Sequence, residues 1–171
     1  MTLKLAINGF GRIGRGVLRA VMESGRTDVE IVAINDLGKP DMNAHLFEFD
    51  SVHGRYPNPV TLSDAGLDVG RGPIRLSSER NPEDLPWSDI DVVLECTGVF
   101  RTREAAERHF KNGSRKVLIS APAKGDGGVK TIVFGVNDSE LTAEDLVVSN
   151  ASCTTNCLSP VAAALDAGLG I

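Results

Sequence analysis

The hexapeptide Gly9-Phe10-Gly11-Arg12-Ile13-Gly14 follows a short apolar run, Leu3 to Asn8, and opens a segment of helical spacing, Arg12 to Glu23. Its placement restricts the fold more than its composition does. At a strand-to-helix turn each glycine of a G-x-G-x-x-G pattern has a steric task. The first permits a tight turn, the second lets backbone approach a pyrophosphate, and the third lets the helix pack closely on the strand. The helix N-terminus then offers unpaired N–H groups and a positive dipole end to phosphate. Within the helical segment Ile13, Val17, Leu18 and Val21 share one side, expected to face a sheet. Val29 to Asn35 is a second apolar run rich in β-branched residues. Strand, helix, strand within about 30 residues is a βαβ unit, which implies parallel pairing and a right-handed crossover.

The remaining chain continues the alternation. Residues 41–49 read as a short helix. Residues 54–80 are rich in Gly, Pro, Asn and Asp, with Val60 to Leu62 and Ile74 to Leu76 as short strands of an antiparallel excursion. Asp91 to Cys96 returns to the buried-strand pattern, and Thr102 to Lys111 reads as a helix with Thr102 as its N-cap. Lys116 to Ser120, Thr131 to Phe134 and Leu146 to Ser149 read as three more strands. The segment from Ser152 onward is expected to be helical, with Pro160 bending it. Strands this apolar are buried on both faces, so helices must cover the sheet on both sides. The expected fold class is α/β: a Rossmann-type, doubly wound, mostly parallel sheet with a small antiparallel excursion. Residues 1–150 form that domain, and residues 151–171 are the first helix of a second, catalytic one.

Bulk properties exclude other classes. A net charge of -5 argues against a nucleic-acid scaffold, whose phosphate contacts need a basic surface. No apolar run approaches the ~18 residues of a membrane span, and the N-terminus lacks the pattern of a secretory signal. Cys96, Cys153 and Cys157 are an odd number without framework spacing, which suits a reducing cytoplasm. His45, His53 and His109 are scattered, and no metal site is expected.

Two further features carry chemistry. Asp36 ends the second strand, roughly 20 residues beyond the glycines, where a carboxylate accepts hydrogen bonds from ribose hydroxyls and repels a 2′-phosphate. That selects NAD over NADP. Alone, an aspartate after a strand is as readily a turn or cap residue. In Ser149 to Cys157, Cys153 enters the final helix, where the dipole favours a thiolate nucleophile and the Cys153 N–H faces a developing oxyanion. Ser152 and Thr154 flank it with hydroxyls. A cysteine is often only a small buried hydrophobe, and residue type leaves both readings open for Cys153, with Cys157 read as structural.

The segments INGFGRIGR (Ile7 to Arg15), AIND (Ala33 to Asp36), DSVHGRY (Asp50 to Tyr56), ECTGVF (Glu95 to Phe100), SAPAK (Ser120 to Lys124) and ASCTTNC (Ala151 to Cys157) occur in this order. Together they resemble the glyceraldehyde-3-phosphate dehydrogenase family along essentially the whole chain. The resemblance implies a phosphorylating oxidation. Cys153 attacks the substrate aldehyde, hydride passes to the nicotinamide, and inorganic phosphate cleaves the resulting thioester. It also implies that Gly9, Gly11 and Gly14 form the phosphate turn, that Arg12 and Ile13 contact the pyrophosphate, and that Asp36 contacts the adenosine ribose. Arg80 then lies along the adenine through its backbone, Thr97, Gly98 and Phe100 line the groove, and Ser120 approaches the nicotinamide. Ser152 and Thr154 help hold the substrate or the attacking phosphate.

In that family a histidine downstream of the cysteine is the general base, within a second domain that also supplies a phosphate-binding arginine and most of a tetramer interface. No histidine follows Cys153 here. The expectation is an N-terminal half of a cytoplasmic homotetrameric enzyme, inactive alone. Erythrose-4-phosphate dehydrogenase shares the same motifs, and a non-catalytic NAD-binding module is the alternative of a different class.

Overall fold

Neighbouring residues of the first strand enter opposite cores. Ala6 packs with Val93, Val117 and Ile119, whereas Ile7 packs with Leu18, Ile34 and Phe47. The same division separates Ala33 from Ile34 and Val93 from Leu94. This follows from the two-residue period of a strand covered on both faces. Each fully buried Ile, Leu or Phe contributes roughly 1.5–3 kcal/mol relative to exposure.

The computed structural model describes residues 2–170. In chain order its elements begin with β1 (Leu3–Asn8), α1 (Arg12–Glu23), β2 (Val29–Asn35) and α2 (Pro40–Glu48). A small antiparallel pair follows, β3 (Phe49–Asp50) and β4 (Gly54–Arg55), then β5 (Thr61–Ser63), β6 (Gly66–Asp68) and β7 (Pro73–Ser77). The rest is β8 (Val92–Glu95), α3 (Arg103–Glu107), β9 (Lys116–Ile119), β10 (Lys130–Thr131), β11 (Val147–Ser149) and α4 (Cys153–Leu169). The main sheet has the order β10-β11-β9-β8-β1-β2-β7-β6-β5. It is parallel from β10 to β7, and β6 and β5 add antiparallel pairs at one edge.

The expected α/β sheet with an antiparallel excursion is what forms, with local differences. The expected Val60–Leu62 strand is Thr61–Ser63, and β6 completes a hairpin that the Gly- and Asp-rich composition concealed. Of the expected Thr131–Phe134 strand only Thr131 joins β10. Beyond it the Val133 N–H donates to the Asn137 side chain at 2.8 Å, turning the chain out of the sheet. Thr102 caps α3 by accepting the Ala105 N–H at 3.2 Å. The α-helix then tightens to 3₁₀ over Arg108–Asn112. Ile13 does not join the apolar face of α1. It is 55% exposed, while Leu18 is buried and Val17 and Val21 pack partly against the core. The α4 helix continues through Pro160, and none of its residues is buried.

Candidate functional site

The phosphate turn forms where β1 meets α1. Gly9 has φ +93, and a Cβ there would lie 2.7 Å from the Thr97 nitrogen. A Cβ on Gly14 would lie 2.2 Å from the Gly9 carbonyl oxygen, so the helix approaches the strand through this glycine. A Cβ on Gly11 would meet nothing within 4 Å, because that face opens into solvent. Gly11 is the N-cap of α1, with no side-chain cap and no acidic residue in the first turn. The N–H groups of that turn have no intrahelical partners. An uncapped, acid-free helix N-terminus beside exposed Ile13 and Arg12 is suited to an anion.

Asp36 closes the turn from the end of β2. Its Oδ2 accepts the Phe10 N–H at 2.7 Å, and its Oδ1 accepts the Gly38 N–H at 2.7 Å and the Asn43 amide at 3.3 Å. A carboxylate offers about four acceptor positions, so one remains for a ribose hydroxyl.

The carboxyl ends of β2, β1 and β8 enclose a groove of about 340 Å³, within the range of small-molecule sites. Of the residues expected at the cofactor, Gly9, Gly11, Asp36, Arg80, Thr97 and Phe100 line it. Arg12, Ile13, Gly14, Gly98 and Ser120 do not. Arg12 and Ile13 stand exposed on the helix end, and Gly14 is buried in the helix–strand contact. Gly98 is exposed, in the turn beyond β8. Ser120 reaches the groove edge only through Cys96, whose thiol it hydrogen-bonds. Burial pushes the Cys96 thiol up to about 11, the Ser120 bond offsetting this in part.

The sequence reading missed Asn8, Asn35, Glu79 and Cys96, which also line the groove. Asn8 and Asn35 stand at the ends of two apolar strands, and a buried amide ending an apolar run is the signal that would have found them. Their side chains bond each other at 2.8 Å above Glu95, which is 1% exposed and pairs with fully buried His109 at 2.9 Å.

The cysteine segment follows β11 on the same edge of the sheet. β11 pairs with β9 and β9 with β8, so strand spacing sets the ends of β8 and β11 roughly 10 Å apart. Ala151 turns the chain in the left-handed region at φ 65, with its N–H held by the Ser149 hydroxyl at 3.1 Å. The Asn156 amide reaches back to the carbonyls of Asn150 at 2.7 Å and Ser152 at 2.9 Å. Cys153 is the first residue of α4, and both it and Cys157 are exposed free thiols. The Ser152 hydroxyl accepts the Thr155 N–H at 3.0 Å and contacts the hydroxyls of Thr154 and Thr155. It is therefore the helix cap, a role the sequence reading did not assign to it. Thr154 is exposed beside Cys153.

A parallel sheet whose connections diverge at β1, with a glycine turn and a bare helix N-terminus over a groove, defines a dinucleotide-binding domain of the doubly wound class. Residues 3–103 match the family described as glyceraldehyde 3-phosphate dehydrogenase, NAD binding domain. The chain belongs to the glyceraldehyde-3-phosphate dehydrogenase family and carries its NAD-binding domain. The glyceraldehyde-3-phosphate dehydrogenase of Cereibacter sphaeroides is 63% identical over 171 residues, 100% of this chain and 51% of that protein. That of Xanthobacter flavus is 59% identical over 173 aligned residues, again 100% of this chain and 51% of the relative. That of Pseudomonas aeruginosa is 53% identical over 174, covering 100% of this chain and 52% of that relative. The chain spans about half the length of the curated relatives it matches.

Proposed function

We propose that this chain is the cofactor-binding half of a phosphorylating, NAD-dependent glyceraldehyde-3-phosphate dehydrogenase, with Cys153 as its nucleophile. The observation that carries the reading is one shared edge of the sheet. It bears the groove with Asp36 at the β2 end and an exposed thiol at the helix N-terminus beyond β11. NAD suits the groove through the turn of Gly9 and Gly14, the bare N–H groups of α1, and the remaining acceptor of Asp36.

The chemistry then assigns tasks to residues. Cys153 Sγ adds to the aldehyde carbon and its oxygen takes up a proton, giving a hemithioacetal. When bound, NAD supplies the two-electron oxidation of that carbon. The thioester left on Cys153 is cleaved by an oxygen of inorganic phosphate, which forms the acyl phosphate, 1,3-bisphosphoglycerate, and frees the thiol. The Cys153 N–H and the Thr154 hydroxyl are suited to steady the oxyanion or the incoming phosphate.

The proposal extends to a cytoplasmic homotetramer acting in glycolysis or gluconeogenesis. Three free cysteines suit a reducing compartment. Leu158, Val161, Leu165 and Leu169 are exposed on α4, apolar surface that further protein would cover.

The test is NADH formation from glyceraldehyde 3-phosphate and inorganic phosphate by the protein containing this chain, with and without Cys153→Ala. Turnover that survives the substitution rejects the cysteine. A higher kcat/KM on erythrose 4-phosphate rejects the triose. The 171-residue chain alone is expected to turn over little or nothing, and a measurable rate would overturn its assignment as a half.

A further inference from the structure

Four buried side chains form a line along the groove floor, His109 and Glu95 beneath it and Asn8 and Asn35 lining it, across the carboxyl ends of β8, β1 and β2. Glu95 Oε2 accepts the Asn8 amide N–H at 2.7 Å and lies 2.9 Å from His109 Nε2. Its Oε1 accepts both the N–H and the hydroxyl of Thr97. The Asn8 amide oxygen in turn accepts the Asn35 amide at 2.8 Å. The second Asn35 N–H goes to the Glu79 carbonyl at 2.8 Å. The Asn35 oxygen accepts the Glu79 N–H at 2.8 Å and the Ser77 hydroxyl at 3.0 Å. Glu95, Asn8 and Asn35 are at most 4% exposed, and His109 is 0% exposed.

The direction of the bonds in this line is set from its two ends, Glu95 and the Glu79 backbone. An ionised carboxylate only accepts, so the Asn8 amide must turn its NH₂ toward Glu95 and its oxygen toward Asn35. The Glu79 backbone presents both a donor and an acceptor to Asn35, and it requires the matching orientation. Four donors converge on Glu95, which saturates a carboxylate and leaves it no reason to turn. His109 holds it from behind and stacks on Trp87 with centroids 6.1 Å apart. Its Nδ1 is buried without a partner. Facing a carboxylate, which only accepts, His109 Nε2 carries the hydrogen of their contact.

We infer that Glu95 is a positioning residue whose carboxylate sets the donor-to-acceptor direction across the groove floor and thereby holds the Glu79–Arg80 wall in place for the adenosine of NAD. The inference rests on the cofactor reading above. Glu95 lies beneath the groove and does not line it, so it acts through Asn8 and Asn35, which do. On the opposite side the same carboxylate holds Thr97, whose backbone nitrogen lies 2.7 Å from where a Cβ on Gly9 would fall. One side chain thus sets both walls.

Glu95→Gln keeps the shape and breaks the direction. Its oxygen is needed by the two Thr97 donors, so its NH₂ must face the Asn8 NH₂. Asn8 cannot turn over without opposing Asn35. Adding Asn8→Asp removes the conflict at position 8, because an aspartate accepts from both the new glutamine and Asn35; the glutamine's second N–H requires His109 to carry its hydrogen on Nδ1 in the single and double variants alike. Adenosine is the probe, since a neutral ligand does not feel the charge moved to position 8. The expected result is adenosine and NAD binding at least tenfold weaker in Glu95→Gln, with faster amide exchange at Glu79. In the double variant adenosine affinity returns to within about threefold of the parent. Unchanged adenosine affinity in folded Glu95→Gln overturns the inference, as does a double variant that folds but binds no better than the single. If Glu95→Gln does not fold, a folded, binding double variant supports the inference and an unfolded one overturns it. Parent protein that binds neither adenosine nor NAD fails the cofactor reading itself, which separates the two.

Discussion

The Asp36 carboxylate accepts the backbone N–H of Phe10 at 2.7 Å, tying the end of β2 to the glycine turn that follows β1. A residue expected to read the ribose is thus also a clamp on the phosphate turn. Its other oxygen holds Gly38, so one side chain orders both sides of the β2 end of the groove.

Asp36→Ala is therefore expected to do two things. The preference for NAD over NADP shrinks, because the charge that repels a 2′-phosphate is gone. NAD affinity itself falls about tenfold or more, since hydrogen bonds to a charged group are worth roughly 1.5–3 kcal/mol each. Calorimetry with both dinucleotides measures both effects. An unchanged preference would remove Asp36 from selectivity and leave it only the clamp.

Gly14→Ala and Gly11→Ala separate packing from binding. A methyl on Gly14 would sit 2.2 Å from the Gly9 oxygen, a backbone atom that cannot swing aside. Overpacking of this kind costs about 1–3 kcal/mol, so Tm falls by several degrees and NAD binding goes with it. A methyl on Gly11 meets no atom within 4 Å, and its φ of -72 suits alanine. That variant is expected to keep the parent Tm and lose at least tenfold in NAD affinity. Parent-like NAD binding by Gly11→Ala would mean that the phosphates do not approach there.

Thiol labelling ranks the cysteines. At pH 7.5, iodoacetamide is expected to modify Cys153 several-fold faster than Cys157. Both are exposed, but only Cys153 sits at the first helical position, beside the unpaired backbone N–H groups of the first turn. Cys96 stays unlabelled in the folded protein. Peptide mass spectrometry over a time course reads the order, and equal rates at Cys153 and Cys157 would count against activation.

Cys96 also predicts an alkaline loss of stability. Burial raises its thiol from an ordinary 9.0 to about 11, so the folded state keeps a proton that the unfolded chain gives up. The stabilisation is complete below pH 9 and disappears as pH rises toward 11. Urea melts at pH 8 and pH 10.5 should show the parent losing on the order of 1–2 kcal/mol more than Cys96→Ala. Equal losses in the two proteins would place the alkaline sensitivity elsewhere.

The sequence by itself determined the sheet, the phosphate turn and the cysteine helix, because each rests on local rules. The apolar strands announce burial on both faces. The spacing of Gly9, Gly11 and Gly14 announces a glycine turn from strand into helix, and Thr102 stands where a cap is wanted. Local pattern was weakest where pairing partners decide the outcome. β6 forms because β5 and β7 flank it, and Phe134 leaves the sheet because Asn137 captures the backbone before it. Only the tertiary structure decided how Asn8, Asn35, Glu95 and His109 meet. They lie on separate segments of the chain, and each alone reads as an ordinary polar residue. A buried polar side chain must find a partner wherever the fold provides one, and no local periodicity records which strand end that will be. The same physics placed Ile13: the helical period put it on the apolar face, and the geometry of the turn left it outside, beside the helix end where phosphate is expected.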